Sequence, residues 1–229
     1  MSAIIERTTG YTQQRVGRPR ANPRPLSRPP EEEILVVAAR LFAEKGFAAT
    51  STREIAEAAG LRQPSLFHYY PKKERILETL LRRVAEWSLT FAEQLDGLGA
   101  PASHKLYRLL HFDVRSACAS PYPVHAIALM PEARQQSFPA YWAADQRLTD
   151  IVEQLLRHAI ADGELIDTDV TLCARSLRTL AGAAATWACS AGRDADELAT
   201  HLADRELRGL LSDPERLSTV RQGALSLRI

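Results

Sequence analysis

The feature that most constrains the fold is a pair of short helical patterns joined by a tight turn, within residues 50–74. Gly60 stands between the two patterns, where such a turn needs the positive φ that glycine adopts without strain. Ala59, beside it, is small and allows the helices to approach closely. The pattern therefore predicts a helix-turn-helix, whose second helix, Arg62–Tyr69, enters the major groove of DNA. The residues predicted to face inward are Ile55, Ala56 and Leu66.

Helical spacing continues along most of the chain, and we find neither a strand pattern nor an internal repeat. Helices are predicted from Pro30 to Gly46, from Thr52 (as N-cap) to Gly60, from Gln63 to Tyr69, and over 72–95, 102–119, 124–136, 138–162, 168–190 and 194–212. Residues 218–229 carry no clear signal and are expected to fray. We therefore predict an all-α fold with an N-terminal three-helix DNA-binding domain and a larger C-terminal helical domain. The expected divisions are a disordered basic arm at 1–29, the helix-turn-helix domain at 30–76, an effector-binding and dimerisation domain at 77–217 and a tail at 218–229.

The N-terminal arm holds the excess positive charge of the chain. Its first 30 residues contain six arginines and one acid, a net charge of +5, so the remaining 199 residues carry −4 of the overall +1. Such an arm favours a polyanionic partner. The run Gly17–Arg18–Pro19–Arg20 resembles the core of an AT-hook, which would place Arg18 and Arg20 in an A·T-rich minor groove. The alternatives are a nonspecific electrostatic tether and a solvated leader.

The side chains on the predicted recognition helix suit contacts with DNA. Arg62 and Gln63 can hydrogen-bond base edges, and Phe67 can pack on a thymine methyl. Thr52 and Arg53 open the preceding helix, where free N–H groups favour a phosphate. Ser65, His68 and Tyr69 can reach phosphate or bases, and Lys72 and Lys73 can contact the DNA backbone further along.

This run resembles the tetracycline-repressor (TetR) family of bacterial regulators. The matching pieces are Ala38, Arg40–Phe42, Gly46–Phe47, Thr50, Ile55–Ala56, Ala59–Leu61, Ser65–Pro71 and Lys73–Glu74. The resemblance implies DNA contacts from Thr52 and Arg53, a recognition surface made by Gln63, Pro64, Ser65, Phe67, His68 and Tyr69, and a phosphate contact from Lys73. Two departures stand out: Phe67 replaces a common tyrosine and Pro64 replaces a frequent glycine.

The family architecture also implies that the last two long helices, 168–190 and 194–212, pair with a partner subunit. Two such helices from each chain can form a four-helix bundle, and packing within one chain is the alternative. The apolar residues considered for this bundle are Leu177, Leu180, Ala181, Ala184, Ala185, Leu198, Leu202, Leu207, Leu210 and Leu211.

Aromatic and polarisable residues on inward stripes of the C-terminal helices are candidates for an effector site, with ordinary core packing as the alternative. These candidates are Trp87, Phe91, His111, Met130, Trp142 and Trp187. The histidines show no ligand spacing, so we assign neither a metal nor another cofactor.

Other classes of protein are disfavoured. No nucleophile elbow, glycine-rich phosphate loop or paired-carboxylate motif indicates an enzyme. No apolar run reaches the roughly 18 residues of a membrane-spanning helix, and no secretory pattern is found, so a cytoplasmic location is expected. Three separate cysteines favour buried thiols over a disulfide framework. The sequence predicts a homodimeric repressor that binds a palindromic operator on double-stranded DNA and is released by an unknown effector. The alternative is an architectural DNA-binding protein without a ligand.

Overall fold

The computed structural model describes residues 28–120, 127–128, 130–133, 138–188 and 194–229. Within these ranges the chain forms α-helices and one 3-10 turn, Pro214–Arg216, and its only β feature is an isolated bridge between Leu165 and Leu211. The all-α prediction is confirmed. The helices are α1 Pro30–Lys45, α2 Thr52–Ala58, α3 Gln63–Tyr69, α4 Lys73–Asp96, α5 Ala102–Ala119, α6 Pro139–Ala161, α7 Val170–Ala188, α8 Ala195–Leu210 and α9 Leu217–Ser226.

The first three helices form the predicted helix-turn-helix. The inward positions Ile55, Ala56 and Leu66 are fully buried. Gly60 has φ 66°, the left-handed conformation that the turn requires. The predicted N-cap is wrong, because Ser51 rather than Thr52 caps α2. The Ser51 hydroxyl accepts from the Glu54 amide at 3.1 Å, and the Glu54 carboxylate accepts from the Ser51 amide at 2.9 Å, which is a capping box.

The apolar core beneath the helix-turn-helix extends into the rest of the chain. The first half of α4 supplies Leu77 and Leu80, and Phe138 and Tyr141, at the start of α6, belong to the same cluster of buried side chains. Helix α6 then packs along α4. The expected division at residues 76 and 77 therefore passes through a continuous core.

A second core surrounds α5, which contacts α4, α6, α7, α8 and α9. The leucines of α8 that were considered for a dimer interface are buried in this core, as the alternative of packing within one chain predicts. They are Leu198, Leu202 and Leu207, together with Leu211 just beyond the helix. These leucines share the face of α8 that lies against α5, and they therefore pack inside the chain. On α7, Leu177 and Ala181 are likewise part of this core, whereas the side chains of Ala184 and Ala185 lie outside the described residues.

Two expectations for the chain beyond α5 need correction. The C-terminal stretch does not fray: α9 occupies Leu217–Ser226 and buries Val220 and Ala224 against α5. Small and polar residues outnumber the buried apolar residues of this helix, so the sequence gives only a weak helical pattern here. The helix predicted at 124–136 lies mostly outside the described residues. Ile127 and Ala128 are helical as predicted, whereas Met130–Ala133 form a bend and a turn. Among the described helices, none is both long and apolar enough to cross a membrane.

Candidate DNA-binding surface

Helix α3 buries one side chain, half-buries Gln63 and exposes the others to solvent. Leu66 is its buried residue. The side chains of Phe67 and Tyr69 are 42% and 40% exposed, although both are large and apolar. The rings of His68 and Tyr69 meet edge to face, with centroids 5.6 Å apart. The remaining exposed residues of this surface are Arg62, Pro64 and Ser65.

A hydrogen bond joins the first residues of α2 and α3. The Gln63 side-chain amide donates to the Thr52 hydroxyl at 3.0 Å. Both residues were predicted to contact DNA, and the structure brings them together at the edge of the recognition surface. The bond fixes the orientation of the Gln63 amide before any partner is bound.

Arg53 follows Thr52 in the sequence and is the one cation of α2. Its Nε donates to the Glu57 carboxylate at 2.9 Å, and 77% of its side chain is exposed. The hydrogen bond to Glu57 raises the pKa of Arg53. Because exposed ion pairs of this kind are weak, the guanidinium can leave Glu57 for a phosphate at little cost.

Glu54 stabilises the other side of the α2 N-terminus. Its carboxylate accepts from Lys45 at 2.8 Å as well as from Ser51. The Lys45 hydrogen bond, followed by those from Ser51, lowers the pKa of Glu54 to about 2. The carboxylate is therefore charged at every pH at which the protein would work, and it orders the loop before α2.

Lys73, predicted to contact a phosphate, also makes contacts inside the protein. Its ammonium donates to the carbonyl oxygens of Phe47, at 2.6 Å, and Thr50, at 2.7 Å, and lies 4.3 Å from the centroid of the Phe47 ring. These contacts tie the first turn of α4 to the loop between α1 and α2. Two of its three N–H donors are thus used inside the protein. The arm residues Arg18 and Arg20 lie outside the described residues.

Those of the six effector-site candidates whose side chains are described do not all meet at one place. Phe91 and His111 lie in the core around α5, whereas Met130 and Trp142 pack against the core of the helix-turn-helix. The side chain of Trp187 lies outside the described residues. Trp87 is 60% exposed and not on an inward stripe, because the inward face of α4 at this level is taken by Ala85 and Phe91. It touches the body edge-on through Phe112, at a centroid distance of 6.4 Å.

Sequence reasoning missed several polar residues around α5. Asp113 is half-buried, and its carboxylate accepts from the Ser88 hydroxyl at 2.8 Å. Desolvation raises the pKa of Asp113 to about 6. Arg108 and Phe112 lie on the same helix, next to Phe91. The sequence did carry a signal for Arg108, because it is a polar residue on a predominantly apolar stripe of α5.

Known proteins resemble this chain both in sequence and in structure. Residues 34–80 match the family described as bacterial regulatory proteins, tetR family. The HTH-type transcriptional repressor KstR2 of Mycolicibacterium smegmatis is 28% identical over 168 residues, which cover 71% of this chain and 80% of that protein. The crystal structure of Mycobacterium smegmatis AmtR superposes with a TM-score of 0.75 at 29% identity, covering 90% of this chain and 99% of that one. AibR, in a complex with isovaleryl coenzyme A and operator DNA, shares the fold with a TM-score of 0.66 at 22% identity, over 80% of this chain and 99% of that one.

Proposed function

We propose that this chain, a DNA-binding transcriptional regulator of the TetR family of bacterial regulatory proteins, is a repressor released from its operator by a small effector molecule. In this proposal residues 30–76 carry the DNA contacts, and residues 77–217 bind the effector and a second subunit. DNA contact is assigned to Thr52, Arg53, Arg62, Gln63, Pro64, Ser65, Phe67, His68 and Tyr69, with Lys73 placing the adjoining loop.

The observation that carries the proposal is the exposure of Phe67 and Tyr69 on a helix anchored by Leu66. Large apolar rings in water are unfavourable, and neighbouring rings of this kind usually mark a contact surface. The major groove is about 12 Å wide and admits one helix. A seven-residue helix with one buried side chain can enter it without disturbing the core.

We infer a second subunit from the way in which recognition helices contact DNA. Two recognition helices about 34 Å apart contact successive major grooves of a palindromic operator. The last two long helices, α7 and α8, are the proposed interface. Since Leu198 and Leu202 pack inside the chain, the interface must use other faces, and the 64% exposed Leu172 on α7 supports this choice.

Helix α4 provides the path from effector to DNA. It runs unbroken from Lys73, which holds the loop before α2, to Asp96, beside the core around α5. An effector that favours one tilt of α4 would change the spacing of the two recognition helices. A complete switch needs a preference of roughly 10⁴-fold for one state. The AibR complex supports the presence of both kinds of site in one chain, since a protein of this fold holds operator DNA and a small molecule.

The N-terminal arm is proposed to add a minor-groove contact through Arg18 and Arg20, which the net charge of +5 on the first 30 residues supports. Removing residues 1–28 should lower affinity and leave the central footprint unchanged. An affinity that does not change on removal would refute this role of the arm.

The experiment that tests the whole proposal is selection of duplexes from a random pool by the full chain, followed by fluorescence anisotropy with the winning duplex. We expect a palindromic consensus bound by two chains. A matched control is the Phe67→Ala variant, which should lose the preference for that duplex. A ligand screen for release from the same duplex then separates a regulated repressor from an architectural protein. Equal binding to all duplexes at low salt would overturn the proposal.

A further inference from the structure

Arg108, in the middle of α5, is a part-buried cation without a salt bridge to any described residue. Its guanidinium carbon lies 5.2 Å from the centroid of the Phe91 ring. Its Nε is shielded from solvent and has no hydrogen-bond partner within the part of the chain that the structure describes. Burial, and then the charge of Arg115, lower the pKa of Arg108. A shielded donor on a cation costs free energy that the cation–π contact only partly offsets.

Other part-buried arginines of the same body are neutralised by carboxylates. Arg178 binds Asp145 at 2.6 Å, and Arg221 binds Asp204 at 2.7 Å. The carboxylate whose charge reaches Arg108 is that of Asp196, which already binds Arg115 at 2.7 Å. Arg108 is therefore a part-buried cation for which the described residues provide no counter-charge of their own.

His111 repeats this situation one helical turn further along α5. Its side chain is 5% exposed, and its Nδ1 is shielded and has no hydrogen-bond partner among the described residues. Its Nε2 lies 3.3 Å from the Thr200 hydroxyl. Burial, and then the charge of Arg108, lower the pKa of His111, so the two side chains lie within electrostatic reach of each other. Residues three apart share a face of a helix.

A row of aromatic rings adjoins these two polar groups. Phe91 and Phe112 stack with centroids 3.7 Å apart and planes within 7°. Trp87 meets Phe112 edge to face, and its indole is largely exposed. The row therefore leads from the surface to the ring that Arg108 contacts. It offers flat apolar contact beside a cation.

We propose that Arg108 and His111 bind the oxyanion of a small organic carboxylate or phosphate, whose apolar body lies against the Phe91–Phe112 stack. An oxyanion can accept in parallel from Nε–H and Nη–H of Arg108. His111 can donate from Nδ1–H when its Nε2 accepts from the Thr200 hydroxyl. As the effector site of a repressor this assignment rests on the proposed function, whereas binding of the anion itself does not.

The test is isothermal titration calorimetry of the full chain with phenylacetate, phenyl phosphate and the neutral phenylacetamide. At least one anion should bind about tenfold or more tightly than the amide, and the preferred anion distinguishes carboxylate from phosphate. Arg108→Met, which keeps the aliphatic stem, should weaken that anion by about tenfold or more. Arg157→Met removes an exposed arginine already bound to Glu153 on α6 and should change the affinity by less than about twofold.

If Arg108→Met does not fold, nuclear magnetic resonance of the wild-type protein tests the assignment instead. The Nε–H signal of Arg108 is identified as the one missing from Arg108→Lys, and in the wild-type protein it must shift when the anion is added. Equal affinities for anion and amide, an unchanged affinity in Arg108→Met, or an Nε–H signal that does not move would overturn the assignment. Duplex binding by the same samples separates the two hypotheses. A protein that binds DNA and no anion refutes the anion site alone, and one that binds the anion and no DNA refutes the proposed function alone.

Discussion

The ammonium of Lys73 lies 2.6 Å from the carbonyl oxygen of Phe47 and 4.3 Å from the centroid of the same residue's ring. One side chain at the start of α4 thus makes both a charged hydrogen bond and a cation–π contact with the loop after α1. The Phe47 ring in turn packs on Phe42, with centroids 5.1 Å apart. Lys73 therefore places the helix-turn-helix on α4 by contacts within the protein.

Replacing Lys73 with methionine should destabilise the protein by about 1–3 kcal/mol, because the carbonyl oxygens of Phe47 and Thr50 lose a charged donor. Urea unfolding measures the change. The DNA affinity should fall while the slope of log K against log salt stays close to that of the wild type. Arg53→Met is the matched control, and its slope should flatten by about 0.9. The same flattening in Lys73→Met would instead place the ammonium on a phosphate.

Thr52→Val should weaken operator binding about two- to tenfold, because it removes the acceptor that orients the Gln63 amide at 3.0 Å. Thr52→Ser keeps the hydroxyl and should bind like the wild type. Anisotropy with the selected duplex measures both affinities. Wild-type affinity in Thr52→Val would contradict this role of the hydrogen bond.

Neighbouring substitutions on α3 should separate stability from recognition. Phe67→Ala should change the free energy of unfolding by less than about 0.5 kcal/mol and reduce the affinity for the selected duplex by roughly 1–3 kcal/mol, since its ring is exposed. Leu66→Ala should cost about 2–5 kcal/mol of stability, since its side chain is fully buried. Chemical denaturation and anisotropy give the two quantities. A large loss of stability in Phe67→Ala would contradict the described position of its ring.

Gly223→Ala should destabilise the chain by about 1–3 kcal/mol, because the added Cβ would lie 2.3 Å from Cε1 and 2.4 Å from Nδ1 of the His104 ring. Gly209→Ala is the matched control on α8: nothing lies within 4 Å of its added Cβ, so it should be neutral or stabilise by up to about 1 kcal/mol. Thermal or urea unfolding measures both. The double variant with His104→Ala should recover most of the loss, and failure to recover would exclude the steric explanation.

Asp113→Asn should make stability less dependent on pH. The pKa of Asp113 is raised by burial from 3.8 to about 6, so its folded form binds a proton more tightly than its unfolded form. The stabilisation is complete below about pH 4 and is lost as the pH rises through 6. The variant should therefore exceed the wild type by up to about 3 kcal/mol at pH 8 and equal it near pH 4. Ser88→Ala, which removes the donor to the carboxylate, should raise the pKa of Asp113 further in an NMR titration. An advantage of Asp113→Asn that is the same at both pH values would contradict this assignment.

Local patterns predicted the helix-turn-helix well. The positive φ of Gly60 and the burial of Leu66 follow from residue type and helical spacing. Ser51 was missed as the N-cap although its spacing to Glu54 is the signature of a capping box. Helix α9 was missed because its apolar stripe is short, with Leu217, Val220 and Ala224 as its buried residues.

Contacts between distant segments were beyond the reach of local patterns. The Lys73 ammonium meets a carbonyl 26 residues away, and no periodicity encodes that distance. Arg108 has no salt bridge to a described residue because Asp196, in another helix, is bound to Arg115. The exposure of Trp87 likewise depends on how α4 is rotated against α5. These properties arise from packing, which the sequence alone left open.

The sharing of one apolar core between the helix-turn-helix and the start of α6 limits how this protein can be recombined. A chimera joined at residue 76 would sever Leu80, Phe138 and Tyr141 from the side chains that cover them. Fusing this helix-turn-helix to the C-terminal domain of another protein would therefore require transferring the start of α6 as well, because it completes the apolar core. The exposed face of α3, by contrast, can be changed without disturbing that core, because Leu66 is its one buried residue.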